Sequence, residues 1–394
     1  MTRNCGRVAV VLILAGLALS AARPAFAQTT PNDIISFLVT NQNVDTGAPP
    51  KDQAAAAATR DTIARALLVN LASAPIATSS SGFVYRLDPE LGTMTRVSQS
   101  FGTFYVERAA TSGRGHLSLG ASATSSGYDQ LDGLHLRDGT LVTTANKFTD
   151  EPAPFDVESL TLRIRTNTLT VFGSYGVTDR LEIGGAVPLV QLHIEGSRTN
   201  VYRGQTFVQA SGSADASGIA DAAVRAKYAL LNNRNGAFGV AAEWRLPTGN
   251  ADNLLGAGRS ALRVLALGSV EGLRVSVHGN AGIVRGGVSD EITASGALSV
   301  ALSPRVTATG ETLFRRLSDL HSIVSVSQPH PTIVGVDTLR LLPGDHVAML
   351  SSLVTGAKWN VTGTFVLSGQ VQWRLGHDGL TAPWAPSLSF DYLF

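Results

Sequence analysis

A single cysteine, Cys5, in 394 residues leaves no disulfide framework, no cysteine metal site and no thiol chemistry in a processed chain. Beyond the amino-terminal region no apolar run approaches the roughly 20 residues that a bilayer-crossing helix needs, so a helical inner-membrane protein is excluded. Charge is scarce: Asp, Glu, Lys and Arg make up 15% of the chain, and 31 basic against 30 acidic residues leave no electrostatic footprint for nucleic acid. No Gly-x-Ser-x-Gly elbow is present. Gly256-Ala257-Gly258 and Gly113-Arg114-Gly115 lack the strand-to-helix setting and the following Lys-Ser/Thr of a phosphate loop. No paired His or Cys spacing suggests zinc, and Asp129, Asp132 and Asp138 hint only weakly at calcium, so neither a metal nor a cofactor is expected.

What is present begins with Arg3 and Arg7, the apolar run from Val8 to Leu19, and the small-residue site Ala25-Phe26-Ala27. This pattern predicts a signal peptide over 1–27 and export of a chain starting near Gln28.

From about residue 115 onward, polarity alternates with a period of two. In 361–375, Val361, Phe365, Leu367, Val371, Trp373 and Leu375 alternate with Thr362, Thr364, Ser368, Gln370, Gln372 and Arg374. Twelve such segments are separated by connections that alternate long and short, as in outer-membrane barrels. The spacing predicts an all-β fold over 111–394: a transmembrane up-and-down antiparallel β-barrel of about twelve strands, or fourteen if the amino-terminal region adds a hairpin. The last residues place Leu388, Phe390, Tyr392 and Phe394 on one face, which the barrel turns towards lipid, with Ser387, Ser389 and Asp391 on the other. Residues 28–110 read as a partly helical periplasmic or plug segment, with helices over 33–40 and 53–72 and extended pieces near 82–89 and 101–107.

A charge on the lipid face costs about 2–4 kcal/mol near the midplane, so alternation assigns Arg163, Arg165, Arg225, Lys227, Arg245, Arg259, Arg263, Arg274, Arg315 and Arg374 to the lumen. Glu182, Glu243, Glu311 and His278 join them, with Asp221 and Asp391 also inward. An open pore with these arginines would prefer anions mildly, unless lumen or plug carboxylates pair with them.

Tyr175-Gly176-Val177-Thr178-Asp179-Arg180-Leu181-Glu182-Ile183-Gly184, with Ala186-Val187-Pro188-Leu189, Asp221 to Tyr228 and Arg245-Leu246-Pro247-Thr248-Gly249, resembles a family of outer-membrane proteins assigned to the meta pathway of phenol degradation. The likeness covers about 160–270 well and the rest loosely, and 82–108 is similar to amino-terminal regions of uncharacterised relatives. It implies a barrel and uptake of small, including aromatic, compounds. The carboxy-terminal row resembles the signal read by the barrel-assembly machinery. The expected role is passage of small molecules across the outer membrane, with outer-membrane lipid and that machinery as partners and the solute unspecified. The competing readings are a structural or adhesive barrel with a blocked lumen and a rim-site hydrolase using His278 or His193.

Overall fold

In the computed structural model, described residues are 30–72, 85–88, 93–96, 100–233 and 236–394; the expected signal peptide and most of 82–99 lie outside them. Twelve antiparallel strands close on themselves: β1 (Leu117–Tyr128), β2 (Pro154–Gly176), β3 (Leu181–Tyr202), β4 (Ala223–Asn232), β5 (Gly236–Arg245), β6 (Ala261–Glu271), β7 (Val275–Gly286), β8 (Glu291–Ser303), β9 (Val306–Pro329), β10 (Val336–Asn360), β11 (Phe365–Arg374) and β12 (Trp384–Leu393). The seam is the β12–β1 ladder, in which Phe390 stands opposite Ala121 and Leu388 opposite Ala123. The fourteen-strand alternative does not form, because Tyr85–Asp88 pairs with Thr93–Arg96 in a separate two-stranded sheet and not with any barrel strand.

The outward rows are apolar and exposed: Leu169 and Val171 on β2, Val187 and Leu189 on β3, Val277 and Ile283 on β7, Leu367 on β11, and Leu388 and Phe390 on β12. A continuous surface of this kind belongs in lipid. Aromatic rings border it at both ends, Trp244, Trp373 and Trp384 on the long-loop side and Tyr175, Trp359, Tyr392 and Phe394 on the short-turn side. Amphipathic rings at two levels mark the two membrane–water interfaces.

Four strands, β2, β3, β9 and β10, run past the lipid band, and in β2 and β3 the polarity reverses as they do. On β2 the outward row passes from Leu169 to Asn167, Arg165 and Arg163, while the inward row passes from Thr168 and Thr166 to Ile164, Leu162 and Leu160. β3 does the same, with Gln191, His193 and Glu195 outward and Val190, Leu192 and Ile194 buried inward. Strand Leu141–Phe148 inserts between β2 and β10, and strand Gln205–Ile219 pairs with β3. With the upper part of β9 they make a curved six-stranded sheet on the outer side. Three of the long connections between the twelve alternating segments, 125–158, 197–218 and 317–345, therefore contain much of this sheet.

Its apolar inner face is covered by two amino-terminal helices. Helix α1 (Pro31–Val39) starts at a capping box in which Thr30 and Asp33 exchange hydrogen bonds of 3.1 Å. Helix α2 (Pro49–Leu71) begins earlier than its apolar stripe suggests, because Pro49 and Pro50 fit the first turn. Ile35, Leu38, Ile63 and Leu67 are fully buried in one cluster with Leu160, Leu162, Ile194, Leu317 and Leu341.

Candidate solute pathway

Two layers of the amino-terminal region lie in the lumen, with a cavity between them. The lower is residues 100–112, which lead into β1 through Gly113 and Gly115, both with positive φ. Their backbone is held by wall side chains. The Glu311 carboxylate accepts from the N–H groups of Phe104, Tyr105 (2.9 Å) and Val106 (3.0 Å). Lys358 Nζ donates to Thr103 O at 2.6 Å, and Ser112 N–H donates to Glu182 at 2.7 Å. Ala109 N–H donates to Ser269 Oγ at 2.9 Å. Charges alternate across the same layer: Arg108 lies 3.4 Å from Glu271, Arg225 pairs with Glu107, and Lys227 Nζ is 3.3 Å from Glu182.

The uppermost layer is the helix pair, tied to the wall by its polar ends. Arg198 donates to Phe37 O (2.9 Å) and to Thr40 O, the carboxyl end of α1, and Arg245 and Arg315 donate to Ala72 O and Val69 O at the end of α2. Cations at these ends satisfy orphan carbonyls and oppose the helix dipoles. Arg340 meets Asp52, in the first turn of α2, at 2.7 Å.

Between these layers lies a cavity of about 190 Å³. Tyr105 lies at one end and Asn70 and Leu71 at the other; hydroxyls of Ser122, Thr124, Ser126, Thr166, Thr168 and Thr170 line one wall, and Arg245, Arg315, Gln372 and Arg374 line another. Each of these arginines has a carboxylate beside it: Glu243 at 2.9 Å from Arg245, Glu291 at 2.6 Å from Arg315, and Asp129 at 2.9 Å from Arg374. On the outer side the chamber is edged by Gly376, Asp378 and Leu380, in a connection pinned by Asp132, which accepts from Gly379 N–H (2.6 Å) and Ile323 N–H (2.8 Å). Burial pushes the Asp132 carboxyl above its ordinary range, with those two N–H groups opposing the shift.

Of the expected lumen residues, Glu182, Arg225, Lys227, Glu243, Arg245, Arg263, His278, Glu311, Arg315 and Arg374 face inward. Four do not. Arg163 and Arg165 point outward above the lipid band, because the inner face at that height is taken by apolar contacts to α1, and Arg163 lies 3.9 Å from Glu195 on the surface. Arg259 lies before β6 begins and donates to Gly287 O, and Arg274 is exposed in the turn before β7. Asp221 pins an outer loop, accepting from Gly249 N–H (3.0 Å) and Ala257 N–H (2.8 Å). His278 is buried behind Ala109 with its Nδ1 3.0 Å from Ser269 Oγ, and His193 sits on the outer surface against Asp215 at 2.7 Å. Glu107, Arg108, Glu271, Glu291 and Lys358 escaped the sequence reading; the one signal was a Glu-Arg pair at 107–108 inside a stretch of small and apolar residues.

Residues 139–322 match a family model described as "Putative MetA-pathway of phenol degradation". The match runs from the start of the outer sheet to β9. No curated protein matches it in sequence. Among solved structures, an outer membrane channel from Pseudomonas putida F1 is similar at 14% identity and TM-score 0.45, over 73% of this chain and 98% of that one. The NanC porin is similar at 8% identity and TM-score 0.34, over 69% and 98%. The CymD monoaromatic hydrocarbon channel is similar at 11% identity and TM-score 0.27, over 72% and 89%.

Proposed function

We propose that the protein is an outer-membrane channel for small molecules, gated by its own amino-terminal segment. The chamber between Tyr105 and Leu71 carries this reading: a space of about 190 Å³ with a mixed polar and apolar lining, partway through a barrel, where a stable water-soluble fold would have packed side chains. Its size suits a compound of about one ring, since a cavity of roughly 150 Å³ can take up a benzene. A lining that combines hydroxyls with Leu313, Leu350 and Leu380 suits a solute with both polar and apolar edges. The family description, with its reference to phenol degradation, supports small aromatic compounds as solutes. Because carboxylates stand beside the inward cations, ion selectivity is weak in this reading rather than strongly anionic.

A sealed structural barrel is the second reading, favoured by the many hydrogen bonds that hold residues 100–112 across the lumen. Planar-bilayer conductance of the full-length protein and of Glu311→Gln with Lys358→Met separates the two. Loosening the lower layer should raise conductance or its frequency of opening. Silence from both proteins, each folded, would sink the channel reading.

A further inference from the structure

We infer that the outer surface beside the β12–β1 seam is a binding site for a phosphate-bearing lipid of the outer leaflet. On β1 the outward residue Gly127 stands directly opposite Arg165 of β2. A Cβ on Gly127 would lie 3.2 Å from Arg137 Nη2, so the missing side chain is what lets that guanidinium lie on the strand. Arg137 Nε is fixed there by a 3.1 Å hydrogen bond to Tyr128 O. The Arg137 guanidinium thus lies at the cross-strand position facing Arg165, and directly paired residues there are only about 5 Å apart, within reach of a long side chain. Arg163 is offset by Glu195, but no salt bridge to Arg137 or Arg165 occurs among the described residues. Asp138, adjacent in sequence, is occupied with Thr140, accepting from its N–H (3.1 Å) and its hydroxyl (2.7 Å).

Height and shape select a lipid over a free anion. Arg165 lies four residues above Leu169, about 13 Å along the strand, where headgroups meet water. Directly below, the same strand forms a trough: Ala121 lies between Phe390 and Val171, and Ala123 between Leu388 and Leu169. Small side chains flanked by large ones leave a shallow channel for an acyl chain, ending at the guanidinium pair. Bidentate guanidinium donors match phosphate oxygens well. These residues face away from the lumen, so the site is independent of solute passage.

Native mass spectrometry of the full chain in detergent micelles tests this, with diphosphorylated lipid A, its dephosphorylated counterpart and inorganic phosphate as separate probes. Binding of the diphosphorylated lipid should fall roughly thirtyfold in Arg137→Ala/Arg165→Ala, as expected for two basic groups at a membrane surface. The dephosphorylated lipid should bind the unaltered protein no better than the diphosphorylated lipid binds the variant. Ala123→Phe, which fills the trough and keeps both charges, should weaken lipid binding as well. Heat-modifiable gel mobility confirms that each barrel is folded. Equal lipid binding by the folded double variant would overturn the proposal. So would saturation by inorganic phosphate at the concentrations where the lipid binds, which would make this a free-anion site.

Discussion

Arg198 and Glu158 form a buried ion pair at 2.9 Å on the inner face of the outer sheet, with the same guanidinium closing the carboxyl end of α1. One side chain therefore couples sheet to helix. Arg198→Ala would leave Glu158 buried without its partner and the last carbonyls of α1 unmet, at a cost of about 3–5 kcal/mol. Hydrogen exchange should show faster opening of 31–40 with little change in the lipid-facing strands. Unchanged protection of α1 would contradict the assignment.

Leu38 and Leu67 are the complementary apolar test. Both are fully buried, and truncating either to Ala should cost about 2–5 kcal/mol of local stability by opening a cavity under the outer sheet. Urea unfolding followed by a probe in α2 should report that loss.

Gly176 sits where the lumen segment turns into the barrel. A Cβ there would overlap Gly113 O, which is backbone and cannot rotate away. Gly176→Ala should displace 113–115 and lower the yield of folded barrel, whereas Gly310→Ala, with nothing within 4 Å, should not. Gel mobility after refolding compares the two.

Asp290 closes the outer turn between β7 and β8. The N–H of Gly286 and then Arg285 hold its carboxyl below the ordinary range. The stability it contributes is present above the unfolded carboxylate value and disappears as pH falls through the lowered one. The unaltered protein should protect the Gly286 amide better than Asp290→Asn at neutral pH, and the two should converge in strong acid.

The barrel was legible because lipid and lumen impose a strict period of two, and all twelve predicted segments overlap the twelve observed strands. The same logic misplaced Arg163 and Arg165. Their segment alternates as regularly as its neighbours, but which face is inside depends on what fills the inside at that height, and α1 arrives from more than 100 residues away. Periodicity reports two unlike faces and carries no label for them. The wall carboxylates suffered a related loss: Glu311 reads as a pore-lining charge until the amides of 104–106 are seen pointing at it.

The reversal of polarity along β2 and β3 means that the two halves of this molecule are stabilised against different surroundings. Below Leu169 and Leu189 the apolar surface faces outward and is satisfied by acyl chains. Above them it faces inward and is satisfied by α1 and α2, so that half owes its cohesion to water. Chaotropes should erode the outer half first, while exchange into harsh detergent should attack the other, so a single melting temperature would average two events that no common agent controls.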